Sequence, residues 1–400
     1  MLISAPRVIT ADAGHQIFVP GYVVLAGGRV TGASPGPPPR VPDIALPSGT
    51  LLPGFVDLQV NGYYGENFQN ANAEGWAKVV GRIPETGTTA LLPTFITAPL
   101  SELGAALRTV SGFIPELTTG ARVLGVHAEG PFISPTRKGA HNGAWITDPT
   151  PAAVDELIAA GQGVLRLVTL APERDGAMAA IARLTDAGVM VSVGHSDATA
   201  RQVAQAAGRG ARMVTHLFNA QRPLHHREPG VVGQALTDPR LTSGLITDLR
   251  HVAPEACVLA FHAAPRRICS VTDAAASAGM PPGRYLLGGE PVEMPPGEGA
   301  PPVRADGTLA GSALRMDAGV ANMVAAGIGL DEAVAAATRV PADLVGRPDL
   351  GRIAPGAAAD LAWLGDDLRT RATWIGGELV YTRPGNGLRG MPAGADGGLD

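Results

Sequence analysis

Lysine is almost missing from this chain. Of 31 basic residues only Lys78 and Lys138 are lysines, so chemistry that needs a buried lysine has almost nowhere to place it. Cysteine is as scarce: Cys257 and Cys269 are too few for a disulfide framework and match no spaced metal motif, which makes a reducing compartment, the cytoplasm, the expectation. No apolar run approaches the length of a membrane span, and the opening MLISAPRVITADAG lacks a basic region followed by a sustained apolar segment. A net charge of -5, with acidic and basic residues interspersed, leaves no basic stripe for nucleic acid and no polybasic anchor for a membrane. What remains is a globular chain of 400 residues whose 45% apolar content is ample for a core, as one large domain or a large one with a small partner.

Residues 1–50 read as short strands with turns (RVIT, GYVVLAGGRVTG) closed by the proline-rich GASPGPPPRVP, and ADLAWL and TWIGGELVYT repeat that texture near the other end. The two stretches, 1–50 and 351–384, are expected to pair into one small β-sandwich domain. Between them eight strand-like runs recur, with Ala-rich helical stretches after most: LLPGFVDLQV, TTALLPTF, RVLGVHAEG, GVLRLVTLAP, VMVSVGHS, RMVTHLF, SGLITDL and RICSVTDA. Continuously apolar strands alternating with helices argue for an α/β chain with a parallel sheet covered on both faces, and eight of them over 51–350 fit a closed (β/α)8 TIM-like barrel. The competing doubly wound sheet has no GxGxxG turn or P-loop to support it. A barrel carries its active site at the carboxyl ends of its strands. Residues 385–400 are Gly-rich and are expected to form a flexible tail.

Four of the runs end on metal- or proton-handling residues: Glu129 in GVHAEG, His195 in VSVGHSD, His216 in MVTHLFN and Asp273 in SVTDA. A buried carboxylate is costly unless paired or metal-bound, and one carboxylate with two imidazoles is a common catalytic metal set. A single histidine at such a place is more often a satisfied core residue; three residues at three strand ends weaken that reading. Asp273 suits a general base, with a second metal ligand or a structural salt bridge as its alternatives. Along the first strand Asp57, Gln59 and Asn61 alternate with Leu58 and Val60, which points all three into the barrel mouth, to serve the site or to form a hydrogen-bonded layer that stabilises it.

LLPGFVDLQVNGYYGENF, GVHAEGPFISPTRKGAHN, VSVGHSDAT, THLFNAQRPLHHREPGVVG, SVTDA, GSALRMDAGVANMV and GRIAPGAAADLAWL, in this order from about residue 50 to 380, resemble the N-acetylglucosamine-6-phosphate deacetylases of the amidohydrolase superfamily. The resemblance implies a metal-dependent amidohydrolase barrel that hydrolyses the acetamide of a phosphorylated amino sugar. It implies Glu129, His195 and His216 as metal ligands and Asp273 as base, then acid toward the departing amine. It also implies His141 of KGAH as the group that polarises the carbonyl, with a solvated loop histidine as the plainer alternative. Gln59 and Asn61 stand where a two-metal relative carries His-x-His, and neither lysine ends a strand to be a carbamylated bridge, so one divalent ion per subunit is implied. Glu/His/His accepts zinc, first among the candidates, or iron, manganese or cobalt.

For substrate binding the resemblance implies Ala140, His141, Asn219, Ala220, Arg227 and His251, the last four around the phosphate, with Arg227 reaching the neighbouring subunit of a homodimer. His225 and His226 read as loop residues that could touch ligand, His262 as structural and His15 as surface. Ala128, and LHHREPG around the arginine, depart from the family pattern and bear on loop shape and sugar specificity. Residues 291–303, PVEMPPGEGAPPV, read as a proline-stiffened loop near the barrel top. N-acetylgalactosamine 6-phosphate or an N-acyl amino acid are alternative substrates, and a non-catalytic binding barrel is the alternative of another class.

Overall fold

Eight parallel strands close around one axis in the computed structural model, which describes residues 1–297 and 299–385. Residues 386–400 of the expected tail lie outside the described residues. The barrel strands are Phe55–Val60, Thr88–Ile96, Val126–Glu129, Leu165–Leu170, Met190–Val193, Ala211–Val214, Thr242–Ile246 and Ile268–Val271, each from one of the eight runs read in the sequence. They pair in chain order. Closure comes from a parallel bridge between Val60 and Ala274, with the Asp273 N–H donating to the Gln59 carbonyl at 2.9 Å and the Asn61 N–H to the Ala274 carbonyl at 2.8 Å. The first two strands are buried along their whole length, as a sheet covered on both faces requires.

A helix follows each strand. Ala200–Arg209 shows how the sequence sets one. Thr199 and Gln202 form a capping box at its start, Gly210 ends it at a φ of 119°, and Val203, Ala206 and Ala207 form its buried face.

Hydroxyls cross-link the strands inside the barrel. The Thr215 Oγ1 lies 2.7 Å from that of Thr169 and 2.6 Å from the Ser192 Oγ, and Thr169 in turn lies 2.7 Å from His127 Nε2. Gly194 permits this approach, because a Cβ there would come within 2.7 Å of both Thr169 and Thr215. Asp57 belongs to the same kind of layer: it accepts from the Thr272 hydroxyl at 2.6 Å and from the backbone N–H groups of Thr272 and Gln59 at 3.2 Å. It ties the first strand to the end of the last, which is the stabilising role open to it in the sequence.

The chain ends meet in mixed sheets beside the barrel. One six-stranded sheet joins Arg7–Ile9, Ile17–Phe18 and Thr50–Pro53 to Leu361–Leu364, Thr370–Ile375 and Glu378–Thr382. A four-stranded sheet from the N-terminal segment packs with it around Ile3, Val23, Leu51, Trp363 and Trp374. Asp360 fastens this layer to the barrel, accepting from Arg122 Nε at 2.8 Å, Arg122 Nη2 at 3.1 Å and the Gly376 N–H at 2.7 Å. No helix among the described residues is long and apolar enough to cross a membrane.

Part of the expected 291–303 loop is a strand. Glu290–Met294 pairs with Gly283–Leu287, and the Val303 backbone bonds that of Glu293 in both directions. Prolines at 291 and 295 conceal the alternation that buries Val292 against Leu287, Ala310, Ala275 and Ile96.

Burial pushes the Asp57 pKa up to about 7, against the hydrogen bonds that favour its ionised form. The folded value exceeds the unfolded one near 3.8, so this group's contribution to stability is fully present at low pH and is lost as pH rises toward 7. Asp57→Asn keeps the shape and removes the titration. Urea midpoints at pH 5 and pH 7 should show the variant gaining on the wild type by about 2 kcal/mol over that interval. Parallel stability curves would contradict the assignment.

Candidate active site

The carboxyl ends of the strands open into a cavity of about 200 Å³ lined by Glu129, His141, His195, His216, Asn219, Ala220, His251 and Asp273, with Ile96, Ile246, Leu287 and Leu309 as its apolar wall. Three of these residues hold strained backbone just past their strands. His195, His216 and Asp273 have φ of 46°, 27° and 50°, left-handed values that cost roughly 1–3 kcal/mol each and persist where the surroundings over-determine them.

Glu129, His195 and His216 converge on one point. Glu129 Oε1 lies 2.9 Å from His216 Nε2 and 3.2 Å from His195 Nε2, and the two imidazole nitrogens are 3.1 Å apart. His195 donates its Nδ1–H to the Arg137 carbonyl at 3.0 Å, which leaves the Nε2 lone pair facing the other two. Three acceptors this close repel one another unless a cation stands among them. A tetrahedral ion bonded at ~2.0–2.2 Å spaces its ligand atoms roughly 3.3–3.6 Å apart, slightly wider than this triangle, so the residues present fit a metal. The titration of the bare site agrees. Burial alone would raise the Glu129 pKa, yet the adjoining His195 and His216 imidazoles hold it well below the usual range. Burial would lower that of His216, and the Glu129 carboxylate reverses the shift.

Glu129, His141 and His195 also present donor atoms within 4.8 Å of one another. Yet His141 Nε2 stays 3.9 Å from Glu129 Oε2, farther than His216 stands from the same carboxylate, and the tighter set is the better cation site. Burial drives the His141 pKa well below its ordinary value, which favours the neutral imidazole.

Asp273 stands next to the triangle. Its Oδ1 accepts from Asn61 Nδ2 at 2.7 Å and from Gln59 Nε2 at 3.1 Å, and the same Gln59 nitrogen donates to Glu129 Oε1 at 3.0 Å. Gln59 therefore bridges two carboxylates. Burial first, then the charge of Glu129, pushes the Asp273 pKa up to about 6. The other amide oxygens, Gln59 Oε1 and Asn61 Oδ1, are buried without a partner, as is His216 Nδ1.

The structure brings together all the sequence-derived site residues except Arg227. Ala140, Asn219, Ala220 and His251 line the same cavity, and Asp248 Oδ2 holds the His251 Nδ1 at 2.7 Å. Arg227 is exposed, outside the cavity of its own chain, with its guanidinium 3.0 Å from His226 Nε2. His262 is on an exposed helix face, and His15 is half-buried, 3.0 Å from Arg339 Nη2.

Sequence reasoning missed the wall formed by Leu287, Thr308, Leu309 and Gly311, and the clamp behind it. Arg304 donates to the Ala140 carbonyl at 2.5 Å and reaches Glu290 at 3.4 Å, while Asn142 donates to Glu290 at 2.9 Å. The segment carrying His141 is thereby fastened to the 283–311 insertion. The prolines there were the only local signal, and they pointed to a loop.

The amidohydrolase family model matches residues 50–283 and 299–380. An Escherichia coli O157:H7 protein named N-acetylgalactosamine-6-phosphate deacetylase is 40% identical over 332 residues, 82% of this chain and 87% of that protein. The Bos taurus N-acetylglucosamine-6-phosphate deacetylase is 39% identical over 83% of each chain. Among solved structures, the Mycobacterium smegmatis N-acetyl-D-glucosamine-6-phosphate deacetylase superposes with a TM-score of 0.90 at 36% identity, over 95% of this chain and all of that one. Solved structures at 15–16% identity, a prolidase and molinate hydrolase among them, share the fold alone, with TM-scores of 0.62. By the family match and these relatives, the chain belongs to the amidohydrolase family.

Proposed function

We propose that this protein hydrolyses the acetamide of N-acetylglucosamine 6-phosphate to glucosamine 6-phosphate and acetate, with one divalent metal ion held by Glu129, His195 and His216. The observation that carries this reading is the convergence of those three acceptors beside Asp273, in one cavity with Asn219 and His251. The relatives' names supply the substrate.

When bound, the ion supplies Lewis acidity and water of near-neutral pKa, with zinc the first choice for a Glu/His/His set and iron, manganese or cobalt acceptable to it. Asp273 takes the proton of the attacking water and returns it to the departing sugar amine. Asn61 and Gln59 orient the Asp273 carboxylate through their amide N–H groups. Neutral His141 offers a hydrogen bond to the acetyl oxygen as charge develops on it. Ala140, Asn219, Ala220 and His251 bind the sugar phosphate, joined by Arg227 of a second subunit, whose guanidinium suits bidentate phosphate binding. The exposure of Arg227 outside its own cavity supports an arrangement across a homodimer. Two buried free cysteines suit a reducing cytoplasm.

The Escherichia coli relative favours a second reading, N-acetylgalactosamine 6-phosphate as the better substrate. Acetate release from N-acetylglucosamine and N-acetylgalactosamine, each with and without the 6-phosphate, tests both. The proposed function requires fast release from the glucosamine 6-phosphate derivative and little from the unphosphorylated sugars. Equal rates with and without phosphate would remove the phosphate reading.

Arg227→Ala should raise KM for the phosphorylated sugar at least ~10-fold, the loss of a charge-assisted contact. Mixing it with Asp273→Asn, inactive with its metal retained, tests the subunit exchange. At substrate well below the raised KM, equal amounts of the two impaired chains should recover about a quarter of wild-type activity, because each mixed dimer rebuilds one site. No recovery would place Arg227 in its own subunit's site or remove it from both.

A further inference from the structure

The two ring nitrogens of His141 have different surroundings. Nδ1 lies 2.7 Å from Thr97 Oγ1 and 3.4 Å from the Thr97 backbone nitrogen, whose N–H points at it. Nε2 lies on the other side, 3.9 Å from Glu129 Oε2 at the cavity. A backbone N–H only donates. A proton on Nδ1 would meet that N–H head on, which disfavours the Nδ1–H tautomer and the imidazolium alike. Nδ1 therefore accepts, and the ring proton sits on Nε2. The Thr97 hydroxyl has one other acceptor in reach, the Glu129 carbonyl at 3.4 Å, and its 2.7 Å contact with Nδ1 is much the shorter. Gly130 leaves it room: a Cβ there would come within 2.2 Å of the hydroxyl oxygen.

We propose that Thr97, directly after the second barrel strand, is a positioning residue that fixes the His141 tautomer with the proton on Nε2. Two consequences follow. Nε2–H is a donor on the cavity side, ready for an oxygen that gains negative charge. That same proton keeps His141 from competing as a metal ligand, although its ring centroid is only 4.3 Å from that of His195. An imidazole so close to a Glu/His/His set, with its Nε2 lone pair free, would compete for the ion. One hydroxyl thus separates the ligand histidines from the donor histidine. The catalytic consequence rests on the proposed deacetylase reading; the tautomer does not.

The test uses zinc-loaded full-length protein labelled with 15N-histidine, as wild type, Thr97→Val and Thr97→Ser, with His141→Asn to assign the His141 signals. In the wild type and Thr97→Ser, His141 should show a protonated Nε2 and an unprotonated Nδ1. Thr97→Val should lower kcat about 10–100-fold, the usual loss when a supporting hydrogen bond or an oxyanion donor is disturbed, with KM and zinc content near wild type. Thr97→Ser should restore most of that loss. A proton on Nδ1 in the wild type overturns the proposal, as does a Thr97→Val enzyme with undiminished kcat or a serine variant as poor as the valine one. Without any deacetylase activity in the wild type, the function fails and the NMR result alone decides the tautomer.

Discussion

Three lone pairs that face one another at about 3 Å cannot stay so without a positive charge among them, and the upper half of this molecule is organised around that constraint. Glu129, His195 and His216 come from the ends of three different strands, so their meeting point exists only once those strands have assembled. In the bare protein the imidazoles pull the Glu129 pKa down and the Glu129 carboxylate pulls that of His216 up, each against the effect of burial. A divalent ion satisfies the same three acceptors better, because it bonds all of them at once.

The rest of the site can be understood as support for that triangle. The Arg137 carbonyl orients His195, Gln59 bridges Glu129 and Asp273, and the Thr169–Thr215–Ser192 hydroxyls brace the strands inside the barrel. The left-handed backbone at His195, His216 and Asp273 marks where the fold accepts local strain to aim these side chains. Thr97 does for His141 what Arg137 does for His195, with the opposite outcome: one ring keeps its Nε2 lone pair and the other its Nε2 proton.

Much of this was legible in the sequence because barrel strands are continuously apolar and end on their functional residues. All eight runs became strands, and Glu129, His195, His216 and Asp273 stood out as polar residues ending apolar stretches. The family motifs brought in His141 and Asn219, and the resemblance placed His251 after the seventh strand; no periodicity singles out any of them. What stayed hidden depends on contacts between distant segments. Arg304 reaches Ala140 across more than 160 positions, and Thr97 looks like any threonine after a strand until His141 is seen against it. The 283–294 hairpin was masked by its prolines, and the service of Asp57 to Thr272 could be told from a catalytic one only by its partners.

X-ray absorption of the purified, metal-replete protein, with metal content measured on the same sample, tests the central claim most directly. The expected result is one divalent ion per chain, bound by two imidazoles and one carboxylate with no third imidazole. Three imidazoles in the first coordination sphere, two ions per chain, or a protein that binds no divalent metal would contradict it.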